Sequence, residues 1–294
     1  MTPKVKLISY TPDAENLLLY TKFTRLSTDN QDAMDIIKSW SEERKRAELQ
    51  YMLGTIESSW EFVVFTFSIS GVGRGFTHQI VRTRAEENPY NASFAQQSQR
   101  TVNMQGFGYV TPSAFTSEQK EKYDQTMESI NNGYNDLIEL GAAPQDARGV
   151  LPTNVETSII VKFDLRTLSH MMQERLCTRT QGEFQEVAKL MKEEILKVYP
   201  WCEDFLQCYC CKVGTCRFPN YNQCPIKGMM FNPRTGLTYD KERDYQPVRN
   251  IDTRKHVEGG KVIDKPATIY EIKAAWNQLQ EEGGYEARPK MQEK

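Results

Sequence analysis

Two segments of the chain have the composition of strands in a buried β-sheet. Residues 61–70 are rich in Val, Phe and Thr, and residues 156–165 are rich in Ile and Val. β-Branched and aromatic side chains suit pleated, largely buried positions. A shorter strand is predicted at Lys4–Ser9, where side chains alternate in character. These strands are separated by helical patterns, a combination that is compatible with an α+β protein.

Apolar residues at helical spacing predict the helices between and after these strands. The predicted helices span residues 31–54, 117–141, 142–151, 166–176, 183–198 and 268–282. Gly141, Pro152 and Gly283-Gly284 are expected to end three of them. The character of the sequence changes after Pro200, which predicts a boundary between a domain of residues 1–200 and a cysteine-rich segment with a C-terminal extension, residues 201–294.

The composition limits the partners of the protein. The chain has 294 residues, of which 39% are hydrophobic, enough for a sizeable core. It contains no run of 18 apolar residues and no hydrophobic N-terminal stretch, so we expect a cytoplasmic protein without a membrane partner. A net charge of −2 gives no reason to expect nucleic acid as a partner. An anionic ligand would therefore have to be bound by locally placed arginines.

Such arginines are concentrated between residues 82 and 100. Arg82, Arg84 and Arg100 accompany the amide and hydroxyl side chains of residues 96–99. Guanidinium groups with neighbouring amides and hydroxyls can bind phosphate through charge-assisted, bidentate hydrogen bonds. A solvated, charged loop is the other interpretation that this composition allows.

The arginine-rich segment and two later blocks resemble the motifs of the flavin-dependent thymidylate synthases. In that family Arg-His-Arg precedes Ser-x-Arg, and here the spacer between the two parts has thirteen residues. All blocks agree in order, and the resemblance covers roughly residues 4–200. The blocks are Arg82-Thr83-Arg84 with Ser98-Gln99-Arg100, then Ala147-Arg148-Gly149-Val150-Leu151-Pro152, then Asp164-Leu165-Arg166-Thr167-Leu168-Ser169-His170 continuing to Arg175 and Gln181-x-Glu183. The resemblance implies a mixed β-sheet flanked by helices.

The resemblance also implies a nucleotide site. The substrate-binding residues would be Gln79, Arg82, Gln96, Gln97, Ser98, Gln99, Arg100, Arg148 and Arg175. Arg175 is the implied catalytic residue, since it matches an arginine that contacts the uracil ring near N3 and O4. A fixed cation there favours the enolate-like form of the base and raises the nucleophilicity of C5.

The cofactor implied by the resemblance is FAD. Its contacts would be Val64, Arg82, Thr83, Arg84, Gln96, Asp164, Leu165, Arg166 and His170. Family sites are built from several subunits, which implies a homotetramer with shared active sites. The implied reaction takes a carbon from methylenetetrahydrofolate and a hydride from the flavin, which NAD(P)H reduces again. It converts dUMP to dTMP without an enzyme nucleophile, and Cys177 is accordingly expected to be a packed small hydrophobe.

Several positions depart from the family pattern on the flavin side. Thr83 and Phe62 stand where histidines are usual, Asp164 replaces an asparagine, and Arg179 replaces another histidine. The loop at about residues 86–91 is longer. Such changes leave open a hydroxymethylase, in which water quenches the methylene adduct, and they leave open dCMP as the substrate.

Six of the seven cysteines lie between Cys202 and Cys224. Thiolates are soft ligands, and four of them can close a tetrahedral zinc site. The quartet predicted for zinc is Cys208, Cys211, Cys216 and Cys224, with Cys210 as the alternative to Cys208. Reduced thiols and an iron–sulfur cluster are the alternatives. A second alternative for the whole protein is a non-catalytic, zinc-containing module that binds nucleic acid or a protein partner.

Overall fold

The computed structural model describes residues 2–25, 33–83 and 92–218, together with 224, 231–232, 237–238, 274 and 278. The chain divides into two compact units. The first consists of Met1–Met171 and Gly182–Leu206, and the second of Met172–Gln181 and Gln207–Lys294. The boundary near residue 200 stays a prediction.

A four-stranded sheet forms the centre of the first unit. Its strands are β1 (Lys4–Tyr10), β2 (Val64–Gly73), β3 (Ala92–Gln96) and β4 (Glu156–Asp164), in the order β1-β2-β4-β3. All three pairings are antiparallel. The predicted mixed sheet is therefore wrong for the described strands. The reason is that β4 enters the sheet at the end where β2 leaves it, with Glu156 opposite Gly73.

One face of this sheet carries the core. Alternate side chains of β2 and β4 point to that face, as the period of two requires. Each is at most 1% exposed: Phe65, Phe67, Ile69, Ile159, Val161 and Phe163. Helix α8 (Gly182–Val198) packs against β1, and the ring of Phe184 meets that of Phe76 edge-on at 5.0 Å. The substitution Phe163→Ala, which removes one buried ring of β4, is expected to lower the free energy of unfolding by about 3–5 kcal/mol.

The opposite face of the sheet is open in its middle. Ile160 lies on the inner strand β4 but is 46% exposed. Its neighbours in register are Ser68 on β2 and Ala95 on β3. This face of the sheet therefore exposes part of an apolar side chain on an inner strand.

The first unit contains further helices, of which the one at Arg74–Ile80 contacts β2 and β4. They are α1 (Ala14–Thr21), α2 (Ala33–Lys38), α3 (Glu42–Thr55), α4 (Arg74–Ile80), α5 (Ser117–Glu139), α6 (Pro144–Ala147) and the start of α7 (Leu165–Arg175). Shorter 3₁₀ segments cover Lys22–Arg25, Glu57–Phe62, Arg148–Val150 and Pro200–Asp204. Among described residues, no helix combines the length and apolarity needed to cross a membrane.

Most predicted elements are confirmed, with shifted ends. Helix α5 ends at Glu139, and Gly141 follows with a φ of +89°. The predicted helix at 31–54 is instead two helices, because Ser41 is extended and its hydroxyl accepts from the backbone N–H of Arg44 at 3.3 Å. That bond is an N-cap and starts α3 afresh. The predicted strand at 61–70 begins only at Val64, after the 3₁₀ segment.

The second unit contains the end of α7 and short later elements. Helix α9 covers Tyr209–Val213, and β5 (Phe231–Asn232) pairs with β6 (Leu237–Thr238) in antiparallel fashion. Of the helix predicted at 268–282, the structure describes residues 274 and 278, both helical. The rest of that prediction lies outside the described residues.

Candidate functional site

The predicted nucleotide segment leaves β3 as a fixed turn. Gln96 is the last residue of β3, and the backbone N–H of Gln97 donates to the carbonyl of Ser158 on β4 at 3.0 Å. The backbone N–H of Arg100 donates to the hydroxyl of Ser98 at 3.2 Å. These bonds hold the backbone of the turn while the side chain of Arg100 is exposed. The turn therefore presents a cation and a hydroxyl from a rigid base.

Helix α4 brings a second predicted segment to the same strand. Gln79 is half-buried on α4, and Arg82 lies in the turn that ends it, with its backbone N–H donating to the Gln79 carbonyl at 3.2 Å. Nε2 of Gln96 donates to the hydroxyl of Thr77 at 2.7 Å, which joins β3 to α4. The predicted flavin contact Arg84 lies outside the described residues.

Arg74, which is not among the residues predicted from the sequence, lies near both Arg148 and the turn after β3. Arg148 is exposed at the start of its 3₁₀ segment. Nη1 of Arg74 donates to the carbonyl of Gln97 at 3.4 Å. Burial, and after it the neighbouring guanidinium of Arg148, lower the pKa of Arg74. The sequence signal for Arg74 is weak, an arginine between Gly73 and Gly75 directly after a predicted strand.

A cavity of about 350 Å³ opens beside this turn. The ends of β2 and β4, the side chain of Gln97 and residues 102–108 line it. It also adjoins Thr157, whose hydroxyl is buried without a hydrogen-bond partner in the described part of the chain. A larger groove of about 700 Å³ runs along α5, but none of the predicted site residues lines it. We therefore associate the smaller cavity with the candidate site.

The predicted flavin residues of β2, β4 and α7 meet at one corner of the sheet. Val64 lies opposite Asp164 in the pairing of β2 with β4, and Leu165 then begins α7. Asp164 is 3% exposed, and its Oδ1 accepts from the backbone N–H of Thr167 at 2.7 Å. Its Oδ2 is buried without a partner among the described residues. Burial raises the pKa of this carboxyl group.

Two carboxylates from the preceding 3₁₀ segment face α7. Nη1 of Arg166 lies 2.7 Å from Oε1 of Glu61, and Nε2 of His170 lies 3.4 Å from Oε2 of Glu57. Glu57 is also 3.9 Å from Nε of Arg166. Glu57 is not among the residues predicted from the sequence, and its one signal is that it precedes Glu61 by four residues. Both carboxylates restrict the orientation of the predicted flavin contacts.

This corner fits the polar rim of a flavin ring. The ring of His170 is 43% exposed, and the guanidinium of Arg166 is fixed in place. The orphaned Oδ2 of Asp164 needs a polar partner, since an unsatisfied buried oxygen costs about 1–3 kcal/mol. An isoalloxazine edge carries both donors and acceptors. Thr83 lies in the turn after α4, half-buried.

Arg175 belongs to the second unit, where it is half-buried at the end of α7. In the same unit the guanidinium of Arg179 lies over the ring of Phe218, 4.3 Å from its centroid. Arg217 likewise lies over Tyr209, at 3.9 Å. The arginine that replaces a family histidine at 179 therefore stacks on an aromatic side chain from the segment after residue 200.

The predicted zinc ligands are not supported. In the described part of the chain, no group of three or more His, Cys, Asp or Glu side chains is arranged to hold a metal ion. The predicted ligands were Cys208, Cys211, Cys216 and Cys224. The thiol of Cys208 donates to the carbonyl of Gln173 at 3.8 Å and accepts from Cys210 at 3.6 Å.

The comparisons with known proteins match this chain to the same family. A family model described as Thy1, thymidylate synthase complementing protein, matches residues 6–201. The flavin-dependent thymidylate synthase of Nitratidesulfovibrio vulgaris is 34% identical over 230 residues, which cover 73% of this chain and 91% of the relative. That of Clostridium tetani is 33% identical over 219 residues, covering 68% and 85%. That of Sulfolobus acidocaldarius is 31% identical over 205 residues, covering 67% and 74%.

Proposed function

Because this chain belongs to the thymidylate synthase complementing protein family, we propose that it is a flavin-dependent thymidylate synthase. It transfers a one-carbon unit from methylenetetrahydrofolate to C5 of dUMP and yields dTMP. The observation that carries this proposal is the extent of the family match. Residues 6–201 contain every predicted nucleotide and flavin contact, from Val64 to Arg175.

The turn after β3 and Arg148 bind the nucleotide phosphate in this proposal. A dianionic phosphate accepts charge-assisted hydrogen bonds from guanidinium groups and from hydroxyl or backbone donors. Arg100 and Arg148 supply the guanidinium groups, and both side chains are exposed and available. Ser98 supplies a hydroxyl from a turn that its own hydrogen bonds fix. Gln79, Gln96, Gln97 and Gln99 provide amides for the sugar and base.

Arg175 activates the base. A cation beside N3 and O4 of uracil stabilises negative charge on the ring, so electron density at C5 increases. C5 then attacks the one-carbon unit, the bond between that unit and the folate nitrogen breaks, and the C5 proton is released to water, all without a covalent bond to the protein. The half-buried thiol of Cys177 agrees with this scheme, because its raised pKa keeps it protonated and weakly nucleophilic.

The corner formed by β2, β4 and α7 binds FAD, together with Arg82, Thr83, Arg84 and Gln96. When bound, the flavin supplies the hydride that reduces the transferred methylene to a methyl group, and NAD(P)H restores it. Arg166 and His170 orient the ring, and their carboxylate partners Glu61 and Glu57 hold them in place. Asp164 offers the edge of the ring a hydrogen-bond partner.

Methylation is favoured over the two alternatives. The relatives are named flavin-dependent thymidylate synthases, and that name supports a methyl product rather than a hydroxymethyl product. A non-catalytic zinc module lacks support, since the described residues offer no metal-binding group.

The enzyme assembles as a homotetramer with shared active sites. The open face of the sheet supports this proposal, because Ile160 is 46% exposed on an inner strand. Ser68 and Ala95 beside it are small, so a second copy of the chain can approach closely. Burial of this face in an assembly would remove the apolar side chain from water.

The proposal is tested by release of tritium from C5. Purified protein is incubated with [5-³H]dUMP, methylenetetrahydrofolate, FAD and NADPH, and tritiated water is measured. Release that depends on the folate and on FAD is expected. A control without folate accounts for spontaneous exchange. If the protein retains no flavin after reconstitution and releases no tritium, the proposed function is wrong.

A further inference from the structure

Arg74 is held in place at the junction of β2 and α4. Its backbone N–H donates to the carbonyl of Val155 at 3.0 Å, and that of Gly75 donates to Thr153 at 2.7 Å. A Cβ atom on Gly75 would lie 3.2 Å from Cγ2 of Thr153, so a glycine permits this close approach. On the other side, Glu183 accepts from the backbone N–H of Gly73 at 2.6 Å. The start of the Arg74 side chain is therefore fixed.

The guanidinium of Arg74 reaches the turn predicted to bind the nucleotide. Its Nη1 donates to the carbonyl of Gln97 at 3.4 Å, and the N–H of Gln97 is itself bonded to Ser158. An arginine has five N–H donors, and this contact uses one of them. In the part of the chain that the structure describes, no further hydrogen bond occupies the other guanidinium donors, and these can reach an acceptor beside the turn.

The charges around Arg74 favour an anion. Arg148 is close enough that its charge, after burial, contributes to the lowered pKa of Arg74. Neither guanidinium has a carboxylate within ion-pair distance in the part of the chain that the structure describes, whereas Arg166 and Arg217 each have a glutamate. The two neighbouring cations repel each other, whereas both of them attract a dianion that lies between them.

We propose that Arg74 is a further substrate-binding residue, which grips the 5′-phosphate of the deoxypyrimidine monophosphate together with Arg148 and the Ser98–Arg100 turn. This inference rests on the proposed function of the site. Arg74 has a second effect through the same contact, because its bond to the Gln97 carbonyl holds the start of the turn in position. Arg74 lies outside the family motifs, so the motifs alone do not assign it to the phosphate site.

The test compares a nucleotide with its nucleoside. Dissociation constants for dUMP and for deoxyuridine are measured on the FAD-loaded protein, for the wild type and for Arg74→Gln and Arg74→Lys. Loss of a charge-assisted hydrogen bond is expected to weaken dUMP binding by Arg74→Gln about 10- to 100-fold. Deoxyuridine binding should change less than about twofold, since it has no phosphate, and Arg74→Lys should retain part of the dUMP affinity.

The matched control is Arg46→Gln, since Arg46 is an exposed arginine on α3. It should bind dUMP as the wild type does. Unchanged dUMP binding in Arg74→Gln would overturn the inference and leave the proposed function standing. Equal weakening of dUMP and deoxyuridine would overturn it too, because it would indicate a purely structural role. A wild type that binds no dUMP would overturn the proposed function as well. If Arg74→Gln does not fold, the dissociation constants of dUMP and deoxyuridine are compared between Arg74→Lys and the wild type instead, and the same outcomes overturn the inference.

Discussion

Oε2 of Glu57 lies 3.4 Å from Nε2 of His170, so a carboxylate of the 3₁₀ segment Glu57–Phe62, just before β2, faces the helix that is proposed to orient the flavin. The same oxygen is 3.9 Å from Nε of Arg166. One acidic side chain thus contacts two proposed cofactor ligands. This side chain is therefore expected to affect the affinity for FAD.

Glu57→Gln should weaken FAD binding. The amide keeps the size of the side chain but removes the charge that attracts Arg166, and a half-exposed ion pair is worth up to about 1 kcal/mol. The expected loss is about two- to fivefold in the dissociation constant of FAD, measured by fluorescence titration of the apoprotein. The control is Glu43→Gln on the exposed side of α3. Equal FAD affinity in wild type and Glu57→Gln would contradict the role of this carboxylate.

Asp164→Asn should stabilise the protein at neutral pH by about 1 kcal/mol, a typical size for a single buried substitution. Burial raises the pKa of Asp164 above the ordinary value of 3.8, so at neutral pH the folded state carries the cost of an ionised buried carboxylate. As the pH falls through the raised pKa towards 3.8, the folded state takes up a proton first and that cost disappears. The advantage of the asparagine should therefore shrink at acidic pH.

Urea denaturation of both proteins along this pH range measures the difference. Asp35→Asn, an exposed aspartate on α2, is the matched control and should show no such trend. A difference between Asp164→Asn and the wild type that grows as the pH falls would have the wrong sign for this account.

Arg175→Ala should abolish turnover while leaving FAD bound. The variant lacks the cation that is proposed to stabilise charge on the base, and loss of one such electrostatic contact typically lowers kcat by about 10²- to 10³-fold. Tritium release from [5-³H]dUMP and the absorbance of bound flavin are measured on the same sample. Arg217→Ala changes another arginine of the second unit and should keep normal turnover. Full activity in Arg175→Ala would remove this residue from the mechanism.

Ile160→Glu should prevent assembly. A charged side chain on the open face of the sheet cannot be buried against a second copy without a large desolvation cost. Light scattering coupled to size-exclusion chromatography should give a smaller particle than the wild type, and activity should fall because the active sites are proposed to be shared between subunits. Ile36→Glu is the control, since Ile36 is 49% exposed on α2 and Ile160 is 46% exposed. A wild-type mass for Ile160→Glu would contradict an interface at this face.

Much of the fold follows from local patterns in the sequence. Strands β2 and β4 are predictable because their side chains have strong β propensity, and α5 because its periodicity is long and a glycine follows its end. β3 is not, since Ala92–Gln96 is a short edge strand in which Phe94 is the one large apolar residue, and pairing with β4 defines it. The break between α2 and α3 at Ser41 is not predictable, because the helical pattern continues across it. The direction of the strands is not predictable either, because it depends on pairing between residues that are distant in sequence.

The candidate site shows the same division. The motif blocks predict a role for the turn after β3 and for the segment at Arg148, because their residue types and order are specific. Arg74 and Glu57 belong to no block, and the roles proposed for them rest on their proximity to Gln97 and His170 in the folded chain. Contacts between residues distant in sequence have no local signature. The cysteine cluster shows the reverse error, in which a suggestive composition gives no described ligand group.

The mass of the nucleotide product tests the central claim most directly. FAD-loaded protein is incubated with dUMP, methylenetetrahydrofolate and NADPH, with dCMP in a parallel reaction, and the nucleotides are analysed by mass spectrometry. The account predicts that dUMP gains one CH₂ unit and becomes dTMP, while dCMP is unchanged. A product that also carries the oxygen of water, or methylation of dCMP in place of dUMP, would contradict it.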